Sequence, residues 1–290
     1  MLPPVANRFV AGETPAEAIE YARRRSGDGP NAMLNRLGSH HRDLSSVRAD
    51  ADEYVMLVEE LARLDGDPAV SVKPTQLGLE IGEPLFRTSL EHICERAAGR
   101  DVAVWLDMEE HWTVEPTLEV AVDLAREYGG VGVCIQADLK RSRADLRRLA
   151  DEPVRVRLVK GGAYDRPDPI AYTDPDRRDR AYRALLSEAF DRLDGGIAVA
   201  THDPAMLEHA VELGDRHETA FEIQMLMGVR PTAQRTLADE YEVREFVPYG
   251  PRWKRWAFNR ARRNLGFAAR AVGETLVPTN RAASGIAARR

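Results

Sequence analysis

Two hydrophobic patterns follow each other regularly along the chain. Short runs rich in Val, Ile and Leu have the length and composition of buried β-strands, and the longer segments between them place apolar residues at helical spacing. The predicted strands lie within residues 31–38, 70–78, 101–110, 131–138, 154–164, 196–203, 219–228 and 242–250. The predicted helices cover residues 47–64, 83–99, 115–130, 143–151, 180–194, 204–214, 231–241 and 252–272.

One further helix precedes the first strand. Thr14 is a potential N-cap, Pro15 follows at the first helical position, and Glu17 completes a capping-box pattern. The alternation after it predicts an α/β fold, specifically a (β/α)8 TIM-type barrel with an extra N-terminal helix. An open doubly wound sheet is the alternative, and the lack of a G-x-G-x-x-G after the first strand weakens it. We expect one domain over residues 1–274 and a poorly ordered tail over residues 275–290.

Composition narrows the function classes. The 290 residues carry a net charge of −6, so no global basic field favours nucleic acid. Cys94 and Cys134 lie far apart in apolar settings, which is typical of buried thiols in a reducing compartment. No leader pattern opens the chain and no apolar run approaches the roughly 18 residues of a membrane span, so we expect a soluble cytoplasmic protein. His40, His41 and His217 lie in polar stretches and are expected to be exposed.

The basic run over residues 252–263 contains interleaved aromatic residues, a pattern that also occurs in nucleic-acid-binding proteins. The plainer interpretation is an amphipathic helix with Trp253, Trp256, Phe258 and Leu265 partly buried and the arginines outside. We prefer the amphipathic helix, some of whose side chains are expected to reach over the end of the barrel.

Polar residues mark most of the predicted strand ends. In a barrel of this type the chemistry lies at the carboxyl ends of the strands. Each residue alone has a plainer explanation, such as a solvated turn lysine or a core histidine, but their convergence on one rim predicts a functional site. The residues concerned are Lys73, Asp107, Gln136, Arg157, Lys160, Thr201, His202, Asp203, Glu222, Gln224 and Tyr249.

The stretch over residues 154–164 is the most informative of these ends. Arg157 and Lys160 lead into the pair Gly161-Gly162, which lets backbone approach a ligand closely. Cations followed by glycines suit an anion or an electron-rich ring. Acidic and His residues at 109–111 raise the possibility of a metal, but their spacing matches no metal-site template, so we predict none. Asp107 is instead expected to pair with a cation of the rim.

Eight short motifs, taken in order, resemble the proline dehydrogenases, which are FAD enzymes with a barrel fold. The motifs are FVAGET, SVKPTQLG, LDMEEHWTVEPTLEV, GVCIQAD, VRLVKGGAY, ATHD, FEIQMLMGV and FVPYGPRW. Each one alone is weak, but together they cover nearly the whole chain. The resemblance implies oxidation of L-proline to 1-pyrroline-5-carboxylate, with hydride transfer to the flavin N5 atom.

The resemblance also implies residue roles. Asp107 and Arg157 would be catalytic, with Arg157 close to flavin N5, and Lys73 would meet the substrate carboxylate together with the last-helix pair Asn259 and Arg260. The residues expected to contact the cofactor are Met108, Gln136, Lys160, Gly161, Gly162, Ala163, Thr201 and His202. The electron acceptor implied by the family is a quinone, with at most peripheral contact at the inner face of the membrane.

Several positions depart from the family pattern. Asn259 and Arg260 stand where the family has two adjacent arginines that clamp the carboxylate, and Arg263 stands where a glutamate is expected. Phe246 and Trp256 occupy positions that are usually tyrosine, and the glycine pair replaces a single glycine. Loss of one arginine would weaken carboxylate binding by about 1.5–3 kcal/mol. The substrate could therefore be a proline analogue or another cyclic or secondary amino acid.

Two other functions stay open. The first is a flavin-binding homologue without catalysis, which would be yellow but would not be bleached by any amine. The second is a lyase or aldolase with Lys73 or Lys160 as a Schiff base, which would be colourless and would be trapped by borohydride with a carbonyl substrate.

Overall fold

Eight parallel strands close into a barrel, in sequence order, with the eighth strand paired to the first. The structure is a computed structural model that describes residues 6–27, 29–164, 166–254 and 256. The strands are β1 (Asn31–Arg36), β2 (Ala69–Val72), β3 (Ala103–Leu106), β4 (Val131–Gln136), β5 (Arg155–Val159), β6 (Ile197–Ala200), β7 (Phe221–Leu226) and β8 (Glu242–Tyr249). The closed parallel barrel confirms the predicted fold class.

Helices alternate with these strands and form the outer layer. The described residues contain α1 (Pro15–Arg25), α2 (Leu44–Leu61), α3 (Glu83–Ala97), α4 (Val114–Tyr128), α5 (Ser142–Leu149), α6 (Pro175–Arg192), α7 (Pro204–His217) and α8 (Pro231–Ala238), with short 3-10 turns at Ala6–Arg8 and His111–Thr113. Within these helices, none is both long enough and apolar enough to span a membrane.

Helix caps explain where several helices begin. The predicted capping box is present at α1, where the Thr14 hydroxyl accepts from the Glu17 amide and the Glu17 carboxylate accepts from the Thr14 amide. Helix α6 begins at Pro175 rather than at residue 180, because the Asp174 side chain caps it by accepting from the Arg177 amide at 2.9 Å. Part of the segment between the predicted strand at 154–164 and the predicted helix at 180–194 is therefore helical.

Apolar side chains around Trp105 fill the middle of the barrel interior. Trp105 packs with Met33, Ala69, Ala103 and Ala198, and Phe246 lies against the same cluster, so these residues are called the interior cluster. Gly132 pairs with Trp105 across β3 and β4, and a Cβ at this glycine would lie 2.4 Å from the indole ring. A side chain larger than hydrogen at this position would displace Trp105, which forms the floor beneath the strand ends.

The end of the chain lies mostly outside the described residues. The predicted last helix, residues 252–272, is described at 252–254 and 256 only, where the Trp256 amide donates to the Arg252 carbonyl at 3.2 Å. Trp253 and Trp256 pack against Val10 and Leu37, as the amphipathic pattern predicts. The extent of the single domain to residue 274 and the tail 275–290 stay predictions.

Candidate active site

Three charged side chains meet above Trp105 at the carboxyl end of the barrel. Asp107 directly follows β3, and its Oδ1 accepts from Arg157 Nη2 at 2.5 Å while its Oδ2 lies 3.0 Å from Lys73 Nζ. Arg157 comes from β5, with its guanidinium 5.7 Å from the centroid of the Trp105 ring, and Lys73 directly follows β2. This group is called the ion cluster. The sequence-based prediction that Asp107 pairs with a cation of the rim is confirmed.

The ion cluster is largely withdrawn from solvent, since Arg157 is buried and the Lys73 and Asp107 side chains are 20% and 17% exposed. Burial opposes ionisation of Asp107, but the positive charges of Lys73 and Arg157 and a hydrogen bond from Ser71 outweigh it and lower the Asp107 pKa to about 2. Burial also works against the charge on Arg157, and the Asp107 carboxylate reverses this and raises the Arg157 pKa. Two cations and one carboxylate leave this cluster with a net charge of about +1, which suits an anionic ligand group.

The lowered Asp107 pKa predicts acid sensitivity. A carboxyl whose pKa falls from 3.8 to about 2 on folding contributes stability that is present above pH 4 and is lost as the pH falls toward 2. We expect this carboxyl to contribute on the order of 2 kcal/mol to the loss in the free energy of unfolding between pH 4 and pH 2. Urea unfolding of the wild type and of Asp107→Asn across this range measures it. Equal pH slopes in the two proteins would contradict the assignment.

Two uncharged residues that were not among the predicted site residues orient the ion cluster. Asn35, on β1, accepts from Lys73 Nζ at 2.9 Å and donates to the Ser71 carbonyl at 2.7 Å. The Ser71 hydroxyl donates to Asp107 Oδ1 at 2.7 Å. Asn35 lies two residues after Met33, and Ser71 lies two residues before Lys73. Side chains two positions apart on a strand face the same side, so strand alternation could have identified both residues.

A second polar group lies beside the ion cluster, around Gln136 at the end of β4. Its Nε2 donates to the Met108 carbonyl at 2.9 Å, and its Oε1 accepts from Arg166 Nη2 at 2.7 Å. Arg166 also donates to Asp138 and to the Glu109 carbonyl. Met108 and Gln136, both predicted to contact the cofactor, are thus brought together. Arg166 lies just after the predicted strand at 154–164 and was not among the predicted site residues.

Glu109 has a structural role. Its two carboxylate oxygens accept from the Thr75 amide and the Thr75 hydroxyl, each at 2.9 Å, and burial raises the Glu109 pKa. These bonds fix the loop that carries Lys73.

The glycine pair forms a turn around Asp138. Gly161 and Gly162 have φ values of +83° and +76°, which favour glycine, and the Gly162 amide donates to Asp138 Oδ2 at 2.8 Å. A Cβ at Gly161 would lie 1.9 Å from Asp138 Oδ1. The turn itself therefore requires these glycines, whether or not a ligand lies against them. Ala163, the next predicted contact, is exposed.

Lys160 lies further round the rim, in an ion pair with Asp203 at 2.8 Å and with Asp179 at 2.7 Å. Burial opposes its charge, but the two carboxylates outweigh this and raise the Lys160 pKa. A Schiff-base lysine needs the opposite shift, so this environment argues against the lyase alternative for Lys160.

Thr201 and His202 follow β6 on the same rim. The Thr201 hydroxyl accepts from the Asp203 amide at 3.2 Å, and His202 Nε2 accepts from the Leu226 amide at 2.8 Å. The bond to Leu226 requires Nε2 of His202 to be unprotonated, and it fastens the end of β7 to the loop after β6.

Of three further residues assigned to the rim from sequence, Gln224 contacts the ion cluster, whereas Glu222 and Tyr249 do not. Glu222 is near the amino end of β7 and accepts from Arg244, so its placement on the rim was wrong. Gln224 is one pleat nearer the rim and accepts from Arg157 Nη1 at 3.4 Å. The Tyr249 hydroxyl donates to Glu53 at 2.6 Å and is directed toward α2.

The other end of the barrel has its own ion group. Asp67, Glu222 and Glu242 lie close together, and Arg244 forms ion pairs with the first two, with contacts of 2.5 and 3.0 Å. Arg244 and Glu222 are buried, whereas Glu242 is exposed, and we interpret this arrangement as a structural ion group.

The last-helix residues Asn259 and Arg260 lie outside the described residues, so their predicted contact with the substrate carboxylate stays a prediction. Phe246 faces the interior cluster beside Trp105, where a tyrosine would add a hydroxyl to an apolar surrounding.

Enzymes with a parallel eight-stranded barrel have their active site at the carboxyl ends of the strands. The ion cluster lies at this end, so the fold and the site together define a barrel enzyme. A sequence model of the family described as "Proline dehydrogenase" matches residues 18–257. The chain is 34% identical over 253 residues to Proline dehydrogenase 1 of Bacillus subtilis subsp. natto, covering 86% of this chain and 83% of the relative. It is 36% identical over 260 residues to Proline dehydrogenase of Deinococcus radiodurans, with the same coverage. The chain therefore belongs to the proline dehydrogenase family.

Solved structures show the same fold. Proline utilization A (PutA) from Bdellovibrio bacteriovorus, inactivated by N-propargylglycine, superposes with a TM-score of 0.80 at 22% identity, covering 97% of this chain and 34% of that one. A PutA mutant of Bradyrhizobium japonicum, D779W, gives a TM-score of 0.74 at 22% identity, covering 97% and 33%. This chain thus corresponds to about a third of each PutA chain.

The residues at this rim suit a flavin, the cofactor type of the family. Arg157 can only donate hydrogen bonds, and its buried Nε has no partner among the described residues. The ring of a flavin offers several acceptor atoms, and its reduced form is richer in negative charge. The unpaired N–H of Arg157 suits the acceptor atoms of the ring, and its fixed positive charge suits the reduced form.

Proposed function

We propose that the protein is an FAD-dependent proline dehydrogenase that oxidises L-proline to 1-pyrroline-5-carboxylate. The observation that supports this most strongly is the ion cluster of Lys73, Asp107 and Arg157 in a chain of this family. The hydride would leave the ring carbon next to the proline nitrogen and go to N5 of the flavin. The protein's part is to bind, orient and stabilise charge.

Arg157 is the residue proposed to stabilise the negative charge that develops on the electron-accepting ring. Its guanidinium is held by Asp107 at 2.5 Å and by weaker contacts to Gln224 and Ser71, at 3.4 and 3.5 Å. A cation fixed before the reaction costs no reorganisation during it, which is what makes such charges effective. Asp107 would therefore act by holding both cations in place.

Lys73 is proposed to bind the substrate carboxylate. Asn35 and Asp107 hold its ammonium group, and these two contacts use two of its three N–H donors. The net charge of about +1 on the ion cluster would be neutralised by one carboxylate. Asn259 and Arg260 are proposed as the remaining carboxylate ligands.

The proposed cofactor contacts follow the rim from β3 to β6. Gln136 and Met108 would lie nearest the reactive ring, and the turn after β5 and the loop after β6 would contact the rest of FAD. The residues of this second part are Lys160, Gly161, Gly162, Ala163, Thr201 and His202. A quinone is the proposed electron acceptor, and a cytoplasmic location with at most peripheral membrane contact stays part of the same proposal.

A related amine is the second candidate substrate. Phe246 presents an apolar edge beside Trp105 in the barrel interior, and Asn259 replaces one cation of the family's carboxylate clamp. Both changes concern residues proposed to lie near the substrate, and neither concerns a residue proposed to contact the flavin. A proline analogue or another cyclic or secondary amino acid would then be oxidised by the same chemistry.

A panel of amines separates these candidates. Purified protein is mixed with L-proline, D-proline, ring-substituted prolines and secondary amino acids in the presence of a dye acceptor, and dye reduction is followed. We expect the fastest reduction with L-proline, and a faster analogue would instead support the second candidate. A yellow protein that no amine reduces would contradict both and favour a non-catalytic flavin-binding role.

A further inference from the structure

Arg166 is a deeply buried cation beside the proposed flavin site, and the proposed function assigns it no role. It lies in the loop after β5, and its guanidinium contacts three residues from two other segments, those that follow β3 and β4. Nη1 lies 3.1–3.2 Å from the two carboxylate oxygens of Asp138. Nη2 donates to the Glu109 carbonyl at 2.6 Å and to Gln136 Oε1 at 2.7 Å. These contacts fix the Arg166 side chain over the ends of β3 and β4.

The bond to Gln136 settles which way its amide group is turned. An arginine can only donate, so the atom that faces Arg166 must be the amide oxygen. The amide nitrogen then points the other way and donates one of its two hydrogens to the Met108 carbonyl at 2.9 Å. The oxygen of Gln136 faces the guanidinium, so the group that remains for a ligand at the rim is the second N–H of the amide.

The surrounding loop keeps Arg166 in this position. Asp138 accepts from Arg166 and from the Gly162 amide, so one carboxylate fastens both ends of the turn. The Tyr164 ring lies 5.1 Å from the guanidinium carbon, at cation–π distance. The charge of Arg166 is balanced by Asp138, so its main effect on neighbours is through geometry.

We propose that Arg166 is a positioning residue that locks Gln136 as a hydrogen-bond donor toward the flavin. This inference rests on the proposed function, in which Gln136 contacts the cofactor. A donor stabilises the reduced ring more than the oxidised one, because the reduced ring is richer in electrons. Without Arg166 the Met108 carbonyl is the one described contact that still orients the amide, so the amide turns over for part of the time and its oxygen then faces the ring.

The test is a double-mutant cycle with Arg166→Met, Gln136→Leu and the double variant. The readout is the midpoint potential of the bound flavin. This potential reports how much more tightly the protein binds the reduced flavin than the oxidised flavin. Arg166→Met is expected to lower this relative affinity about three- to tenfold, the value of one hydrogen bond. A tenfold change equals about 30 mV for a two-electron couple. Arg180→Met, on the exposed surface of α6, is the matched control and is expected to leave the potential unchanged.

The cycle distinguishes geometry from charge. If Arg166 acts through Gln136, its replacement has no further effect once Gln136 is leucine. An equal shift in both backgrounds, or no shift in the wild-type background, would overturn the inference. Arg166→Lys keeps the charge but cannot contact Gln136 and Asp138 in the same two-armed way, so it is expected to resemble Arg166→Met, and wild-type behaviour of this variant would also count against the proposal.

The folded state is checked by thermal unfolding, and if Arg166→Met does not fold, the lysine variant carries the comparison. A wild-type protein that binds no flavin would contradict the proposed function itself. A wild-type flavoprotein whose potential ignores Arg166 would contradict this inference alone.

Discussion

Arg157→Met is expected to slow the reduction of bound flavin by L-proline by about 10²–10³-fold, the usual effect of removing one preorganised donor from a transition state. The substitution takes away the guanidinium of the ion cluster and leaves Lys73 as the charged partner of Asp107 within this cluster. Anaerobic stopped-flow absorbance measures the rate directly, without the acceptor step.

The matched control is Arg244→Lys at the opposite end of the barrel. Arg244 is also buried and paired with acidic residues, Glu222 and Asp67, but it lies far from the strand ends. We expect it to lower the free energy of unfolding and to leave the rate of flavin reduction within about twofold, since it touches no reacting group. Equal rate losses in the two variants would mean that Arg157 acts only through stability.

Asp50→Ala is expected to have the largest effect on stability, about 3–5 kcal/mol, the usual cost of breaking a buried ion pair. Asp50 lies on α2 and is 3% exposed. Its carboxylate contacts Arg36 at 2.6 Å, His41 Nε2 at 2.8 Å and Gln76 Nε2 at 2.5 Å. Removing it leaves these groups buried with fewer partners.

Urea unfolding measures the loss, and Asp52→Ala on the same helix is the control. The Asp52 side chain is 76% exposed and lies 4.0 Å from His92, so its replacement is expected to change the free energy of unfolding by no more than about 0.5 kcal/mol. A similar small change at Asp50 would show that the buried contacts around Arg36 contribute nothing net.

The barrel could be predicted because strand and helix periods alternate so regularly. Each strand contributes a short apolar run, and closure follows from eight such units in a row. The ion cluster could be anticipated for the same reason, because Lys73 and Asp107 come directly after strands. Cys94 and Cys134 are buried free thiols, as their apolar surroundings predict.

Other features depend on contacts between segments far apart in the sequence. Arg166 lies in a stretch rich in Asp, Pro and Arg, and only the fold shows that it reaches Asp138 and Gln136. His41 was expected to be exposed, but it is 6% exposed because Asp50 pairs with it. Glu222 was misplaced because strand alternation says which face a side chain occupies and does not say how far along the barrel it lies.

The proposed function depends on a flavin held over the ion cluster. The most direct test is the visible absorption spectrum of the purified protein, recorded without oxygen before and after L-proline is added. We predict flavin bands that disappear on addition of L-proline. A protein that stays colourless after purification and after incubation with FAD would contradict the account.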